Sequence, residues 1–512
     1  MKRHYFRKLV HALNPFDNGR KRSFEGAKGN RLTADFESPI TTADAEIFNN
    51  LILMRSRCRQ LERNSSTVSR ICSVFENNVL KDGVGFSMQM KIKDPSGKQD
   101  DGANNKIEEA WSEWCGKKYC TVAGDQSFYD VLRQCLRRTG IDGSSLIKKY
   151  TGTQFGKFGF AIQPLEIDLL DHYYTAPLSN GNHVVMGIEK DELERIQRYW
   201  MLKNHPGQTL FFFNNSMLRY SVPADDLIHF FIKDRPTQSL GVPWLSTAIL
   251  TLHHLNAYEQ AELIAAREAA IKGGFFRSDQ GDAYTGQDIT TPNDTSHIDT
   301  ADDLEPGQKT ELPAGMDFIP YDPKHPTDAF DPFCKSMMRK IAGSQGLAYE
   351  SVSGDVSDAN YSSLRAWKKQ EEETFKRLQA TMIEHICYPI FESWLEASLL
   401  SGAITLPFSK FDKFHNPLFR GRRWSGIDPQ KEVTAALMAI QGLLMSRTQY
   451  TEEYGENFEE VLDQLEAEKE LADSKGLVPV APNLGGALPE HTANGQNKNP
   501  PSSKKRLDRF LV

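Results

Sequence analysis

The sequence predicts a helix-rich α+β fold divided among several domains, and three observations carry this. The chain has 512 residues, too many for one ordinary core, which sets roughly two to four domains. Apolar residues recur at three- and four-residue steps through residues 42–139 and again after residue 363, as amphipathic helices require. Between about residues 143 and 233 the pattern changes to short apolar runs bounded by Gly, Pro and Asn, which is how strands look.

Residues 1–41 are a basic tail, with Arg20, Lys21, Arg22, Lys28 and Arg31 clustered. It is either a flexible end or a docking arm for an acidic partner. The first helix steps through Ile47, Leu51, Met54, Cys58 and Leu61, and a second holds Val68, Ile71, Phe75 and Val79 until DGVGF breaks it. Two further helices fill residues 105–139, split near Gly124. SSLIKKYTG, FGFAIQPLEID, HVVMGIEKD, QRYWML, TLFFFN and DLIHFFI follow as strands.

RPTQSLGVPWL then breaks the chain at Gly241 and offers Pro243 as the first residue of a helix, where its missing N–H does no harm. Residues 244–271 contain neither Gly nor Pro. At 1.5 Å per residue the helix is about 40 Å long. Ala257, Ala261, Ala265 and Ala269 lie along it, and such small side chains let neighbouring helices come close.

Residues 279–305 hold eight acidic residues, among them Asp299, Asp302, Asp303 and Glu305, and no Lys or Arg. This predicts a solvated excursion. KTELPAGMDFIPYDP closes it with strand-like pieces, and a helix from about Ala329 to Gly343 returns. SGDVSDANYSS is a loop of small and polar residues leading to a helix over residues 363–400, which Pro389 should kink. Asp428 and Pro429 open a cleaner helix and FEEVLDQLEAEKELA forms another. From residue 474 the composition predicts a disordered C-terminal tail.

Chemistry is sparse. The seven cysteines include no CxxC, and Cys115 and Cys120 follow Trp111 and Trp114 as core residues do. GTQFGKFG (Gly152–Gly159) has one residue too few for a phosphate loop, and Phe158 replaces its Ser or Thr; it reads as a glycine-punctuated strand pair. No GxSxG is present, and Ser353, Gly354 and Asp355 have no histidine nearby in the chain. His253 and His254 are adjacent on a helix and point to different faces. Asp302, Asp303 and Glu305 can hold a cation, although a solvated loop is the simpler account. Glu371, Glu372 and Glu373 near a helix start favour its dipole. No catalytic residue, metal site or cofactor is assigned. A net charge of −7 argues against gripping DNA through phosphates. No apolar run approaches the ~20 residues of a membrane helix, and the basic N-terminus lacks the apolar core of a secretory signal.

Ordered pieces over residues 45–470 carry a resemblance. They are RSRCRQLERN (Arg55–Asn64), NNVLKDGVGF (Asn77–Phe86), GDQSFYDVLRQCLR, IQPLEID, GIEKDELERIQRYW, HPGQ and DDLIHFFIKDRPTQSLGVPWL. GLAYESVSGDVSDANYSSLRA (Gly346–Ala366) and W-x-x-I-D-P-x-K-E (Trp424–Glu432) complete the order. Together they resemble the lambda-type portal proteins of tailed bacteriophages.

The resemblance implies a portal fold and a ring, usually of twelve copies, that conducts double-stranded DNA without catalysis. It assigns residues 42–242 to a wing, 243–272 and 329–345 to stem helices, and 273–328 to a clip with acidic Asp299, Asp302, Asp303 and Glu305. Residues 346–362 become a tunnel loop, in which Ser351, Ser353, Gly354, Asp355, Ser357, Asp358, Asn360 and Tyr361 face DNA and the aspartates repel phosphate. Residues 363–428 form the long helix and its connection, and 429–473 a helical crown. Implied partners are further copies of the chain, the passing DNA, the terminase large subunit, the major capsid protein and a head–tail adaptor. The place is the portal vertex of the virion, reached from the host cytoplasm, with no membrane. Two other expectations stand beside it: a minor capsid or head-completion protein, and a soluble hydrolase or nuclease using the acidic clusters.

Overall fold

The computed structural model describes residues 40–97, 99–208, 218–271, 274–278, 316–320, 328–424, 429–453 and 458–476. Two compact units contain them, one ending at Pro429 and one starting at Gln430. Among the described residues no helix is long and apolar enough to cross a membrane.

The first unit opens with helices α1 (Ala43–Phe48), α2 (Leu51–Asn64) and α3 (Ser66–Val79). The buried stripe of α2 is Leu51, Arg55, Cys58 and Leu61, so an arginine stands where the period calls for an apolar residue. Strand β1 (Ser87–Met90) precedes α4 (Asp101–Cys115), the short α5 (Lys117–Cys120) and α6 (Phe128–Asp142). The start of α6 is a reciprocal cap: Ser127 Oγ accepts from the Asp130 N–H, and the Asp130 carboxylate accepts from the Ser127 N–H. Its end is Gly143 in the left-handed region. A Cβ there would lie 2.3 Å from the Gly241 carbonyl oxygen. The break expected at Gly241 is thus a close backbone approach that only two glycines allow.

Two antiparallel sheets follow. The first has β2 (Ser144–Thr151) between β3 (Phe160–Leu165) and β9 (Leu227–Phe231), with Leu146 opposite Leu165 on one side and His229 on the other. GTQFGKFG is the connection between β2 and β3, as its glycines suggested. The second is a meander of β4 (Ala176–Pro177), β5 (His183–Val185), β6 (Ile188–Lys190), β7 (Ile196–Leu202) and β8 (Arg219–Pro223).

Helix α7 (Ile249–Ile271) starts later than expected. Pro243 precedes a 3-10 turn, Trp244–Thr247, because the buried Leu245 and the ring of Trp244 anchor that turn in the core. Strands β10 (Gly274–Ser278) and β11 (Met316–Pro320) pair antiparallel, so the ends of the acidic excursion meet. Its residues Asp299, Asp302, Asp303 and Glu305 lie outside the described residues, as do both chain tails. Helix α8 (Phe330–Ser344) returns, its Phe330 and Phe333 rings 5.6 and 5.3 Å from Tyr258 of α7. The side chain of Ala269 lies outside the described residues. Ala257 and Ala261 are exposed and Ala265 half-buried, while Leu252 and Leu255 of α7 are buried.

The expected loop over residues 346–362 is partly a helix. Tyr349–Ser353 form α9, and residues 346–348 and 354–360 are irregular. Helix α10 (Tyr361–Met382) continues through a π turn, Ile383–Cys387, into α11 (Tyr388–Leu400). Pro389 has no N–H for the preceding turn, and the helix widens just before it, with Tyr388 N–H bonding to Ile383 O. The short α12 (Phe411–Phe414) and strand β12 (Pro417–Arg420) complete the first unit. Strand β12 pairs with β1, closing early and late segments together.

An aromatic cluster holds this core. The Trp111 ring lies 4.9 Å from Trp394, 5.0 Å from Trp114, 5.3 Å from Phe391 and 5.5 Å from Phe128. Trp114 donates its indole N–H to Phe160 O at 3.1 Å. Cys120 is buried and Cys115 packs against the same cluster; burial pushes both thiols well above their usual range. A smaller core gathers Ile47, Leu51, Ile167, Ile188, Met201 and Leu227 under the meander.

The second unit contains α13 (Pro429–Gln441), α14 (Arg447–Glu453) and α15 (Phe458–Ser474). The sequence reading missed α14, whose seven residues give too little periodicity. Asp428, expected as a cap, lies outside the described residues.

Trp111→Ala should cost about 3–5 kcal/mol in urea unfolding, the usual loss for a buried ring. A loss below about 1 kcal/mol would show that the cluster does not hold the core.

Candidate functional site

The loop of residues 354–360 hangs between two fixed ends. At its start, Gly354 in the left-handed region caps α9 and donates its N–H to Glu350 O. At its end, Asn360 caps α10: its Oδ1 accepts from the Ser363 N–H at 2.8 Å, and its own N–H donates to Ser363 Oγ at 3.2 Å. Between them Gly354, Val356, Ser357 and Asp358 are exposed.

The loop's carboxylates are not free. Lys335 Nζ of α8 lies 3.5 Å from Asp355, 3.5 Å from Asp358 and 3.2 Å from Asp331. Arg339 is 3.7 Å from Asp358 and covers the Tyr349 ring. The hydroxyl and N–H of Ser357 and the Tyr349 hydroxyl all donate to Asp355. The Ser357 bonds, Tyr349 and Lys335 hold its carboxyl far below the usual range. The expected repulsion of phosphate by two bare aspartates is therefore tempered by two cations.

Ser351 and Ser353 belong to α9. Ser353 Oγ donates to Tyr349 O at 2.8 Å and accepts from the Asp355 N–H at 3.0 Å. Tyr361 is the first residue of α10. Glu371 is not near a helix start. It lies well inside α10, 7% exposed, and accepts from the Ala348 N–H at 2.6 Å and the Ser351 hydroxyl at 2.9 Å. It thus caps α9 from a neighbouring helix. Burial pushes its carboxyl above the ordinary value. Arg70 of α3 donates to Ser351 O at 3.0 Å.

Helix α10 is itself clamped. Gln379 donates to Val79 O at 3.0 Å and Arg422 O at 2.9 Å. Trp424 donates to Asn78 at 3.0 Å, and the Phe375 ring lies 5.9 Å from both Phe75 and Trp424. NNVLKDGVGF and the tryptophan of W-x-x-I-D-P, far apart in the chain, meet on one helix. RSRCRQLERN meets two other pieces through ion pairs. Arg59 bridges Asp142 and Asp168, Arg137 bridges Glu62 and Glu76, and Arg138 bridges Glu62 and Asp142.

Among the described residues, Glu166, Asp168 and His205 form the one group spaced to hold a metal ion. Their donor atoms are engaged. His205 Nδ1 accepts from the Gly207 N–H at 3.0 Å, which leaves the proton of the neutral ring on Nε2, 2.9 Å from Glu166. Asp168 is paired with Arg59.

Sequence reasoning missed Lys335, Arg339 and Arg70. The signal for the first two was present: they follow Asp331 at helical spacing, on the helix just before an aspartate-bearing loop.

The family sequence model described as "Phage portal protein, lambda family" matches residues 29–379. A "Probable portal protein" of Halomonas phage phiHAP-1 is 31% identical over 452 residues, 87% of this chain and 85% of that protein. "Portal protein B" of Escherichia phage lambda is 26% identical over 186 residues, 35% of this chain and 33% of that protein. A chain in the neck of an empty gene transfer agent particle aligns with 78% of this chain and 92% of its own length, at 13% identity and a TM-score of 0.44. The chain belongs to the lambda family of phage portal proteins.

Glu371→Gln keeps an acceptor for Ala348 and removes the charge. A raised folded pKa stabilises fully below the unfolded glutamate value and ceases to as pH rises through the folded one. Wild-type stability relative to Glu371→Gln should therefore fall as pH rises above the unfolded glutamate range in thermal unfolding. A difference independent of pH would contradict the assignment.

Proposed function

We infer that this chain is a subunit of the phage portal, the ring at one capsid vertex through which double-stranded DNA is packaged and ejected. The match to the portal family over residues 29–379 carries this reading, supported by a portal relative along 87% of the chain. The protein is structural: it positions DNA, and a separate motor supplies the work.

The parts follow from that reading. The helices and sheets before residue 242 are the wing. Helices α7 and α8 are the stem. The β10–β11 hairpin roots the clip, which meets the terminase large subunit during packaging and a head–tail adaptor afterwards. Helices α13–α15 are the crown. The major capsid protein surrounds the ring.

A closed ring needs two different faces of one chain to meet head to tail. Helix α7 supplies a candidate face. Leu250, Leu263 and Ile264 are 65%, 63% and 54% exposed, beside the exposed Ala257 and Ala261. Leu250, Ala257 and Leu263 border a groove of about 820 Å³ against α2.

The loop of residues 354–360 is the segment proposed to touch DNA. Its exposed Val356 and Ser357 cap no helix, although Ser357 donates to Asp355, whereas Asn360 caps α10 and Ser353 bonds to Tyr349 O within α9. That separates residues which the sequence treated alike.

Twelve chains of 57.9 kDa make a ring of about 0.7 MDa. Light scattering after gel filtration should show that mass for the wild type and a folded monomer for Leu263→Asp. A wild type that stays monomeric, or a Leu263→Asp variant that still forms rings, contradicts this interface. Ser357→Lys should leave rings intact and reduce the DNA packaged per particle several-fold, since an added cation holds passing phosphates. Normal packaging by that variant would remove the loop from the channel.

A further inference from the structure

A hollow of about 840 Å³ opens between the end of β9 and α10, and the portal reading leaves it unassigned. Its floor is aromatic. His229 and Phe231 are two residues apart on one face of β9, their rings 4.6 Å apart, and the Phe75 and Trp244 rings lie beside them at 5.1 Å from each other. Burial and the nearby Arg55 push the His229 imidazole down to about 3, so the floor carries no charge at physiological pH. The rim is different. Lys233 and Arg377 line it, both exposed and both without an ion-pair partner among the described residues. His385 and one carboxylate, Asp234, share that rim.

The first described residues lie next to it. Asp44 accepts from the Ser239 N–H at 2.8 Å, and Thr41 O accepts from Arg235 at 2.9 Å. Going back along the chain from Asp44 to Thr41, the contacts step from Ser239 to Arg235, toward Asp234 and Lys233 at the rim. Ile40 is wholly exposed. The eight residues before it read LTADFESP, with Phe36 between Asp35 and Glu37 and no Lys or Arg. An extended chain advances about 3.4 Å per residue, so Phe36 reaches roughly 17 Å from Thr41. The rim begins one residue from Arg235, within that reach.

We propose that residues 32–39 of the same chain dock in this hollow, with Phe36 on the aromatic floor and Asp35 and Glu37 against Lys233 and Arg377. Ring burial holds the segment, and the charge pairs set its register. The root of the basic tail is thereby fixed beside β9 and α10. The docking lies within one chain, so it does not depend on ring assembly.

The test uses the full chain carrying Phe36→p-benzoylphenylalanine, irradiated and then digested for peptide mapping. The expected product joins position 36 to a peptide from residues 229–247 or 374–385 and runs at monomer mass on a denaturing gel. Lys233→Glu with Arg377→Glu should lower its yield about tenfold. Both side chains are exposed, so that variant keeps its fold. Adding Asp35→Lys and Glu37→Lys should restore the yield. A product at dimer mass gives the hollow to a second copy and overturns the proposal. Cross-links to other segments alone, no cross-link, or a yield that the charge reversals leave unchanged or the swap does not restore, overturns it as well.

Discussion

Helices α2 and α6 of the first unit meet at one buried carboxylate. Asp142, 2% exposed, ends α6. Its side chain is paired with Arg59 and Arg138, and its carbonyl accepts from Arg55 at 2.8 Å. Burial pushes the Asp142 carboxyl up against the pull of Arg59, and pushes the buried Arg55 guanidinium down to about 10. Such a network adds little stability over a well-packed apolar core, but losing one partner costs about 3–5 kcal/mol. Its value is geometric. It lets α2, α6 and the turn at Asp168 pack in one arrangement, just before the chain enters β2 through the Gly143–Gly241 approach.

That arrangement reaches the loop through two helices. Helix α3 follows α2 after a single extended residue, Ser65. It grips α9 through Arg70 and lends its far end to Gln379 and Trp424 around α10. The loop at residues 354–360 is therefore short and exposed, with both ends tied to a rigid frame. A segment that meets moving DNA needs that combination: side chains free to make and break contacts, on anchors that do not shift. The pairing of Asp355 and Asp358 with Lys335 and Arg339 adds a second feature. Together with α8 the loop presents charge of both signs at close range, so the field toward a phosphate chain is weak at physiological screening.

Much of this was legible in the sequence. The stripes through Leu51, Cys58 and Leu61, and through Val68, Ile71 and Phe75, mark helices because period decides burial. The glycines around Phe155 and Phe158 mark a strand connection because backbone freedom is local. Arg55 was not read: the stripe was traced through Met54, because an apolar residue is the expected occupant, and no local rule names Asp142 as a partner for a buried arginine. The irregular part of residues 346–362 was overestimated. Small polar residues favour a loop on propensity, while a carboxylate from residue 371 caps Tyr349–Ser353 into a helix. Glu371 was read through its own helix, and its actual bond crosses to another. Partners set by tertiary approach leave no trace in local spacing. For the same reason the alanines of α7 could be noticed as small but not assigned to a contact; in the single chain Ala257 and Ala261 are exposed and Ala265 is half-buried.

The central claim is that residues 354–360 form the narrowest lining of a DNA channel, held by α8, α9 and α10. A cryo-electron microscopy reconstruction of the assembled particle with DNA in place tests it most directly. The account predicts a closed ring in which Val356 and Ser357 are the protein groups nearest the duplex. A ring whose bore is lined by other segments, with this loop on the outer surface, would contradict it.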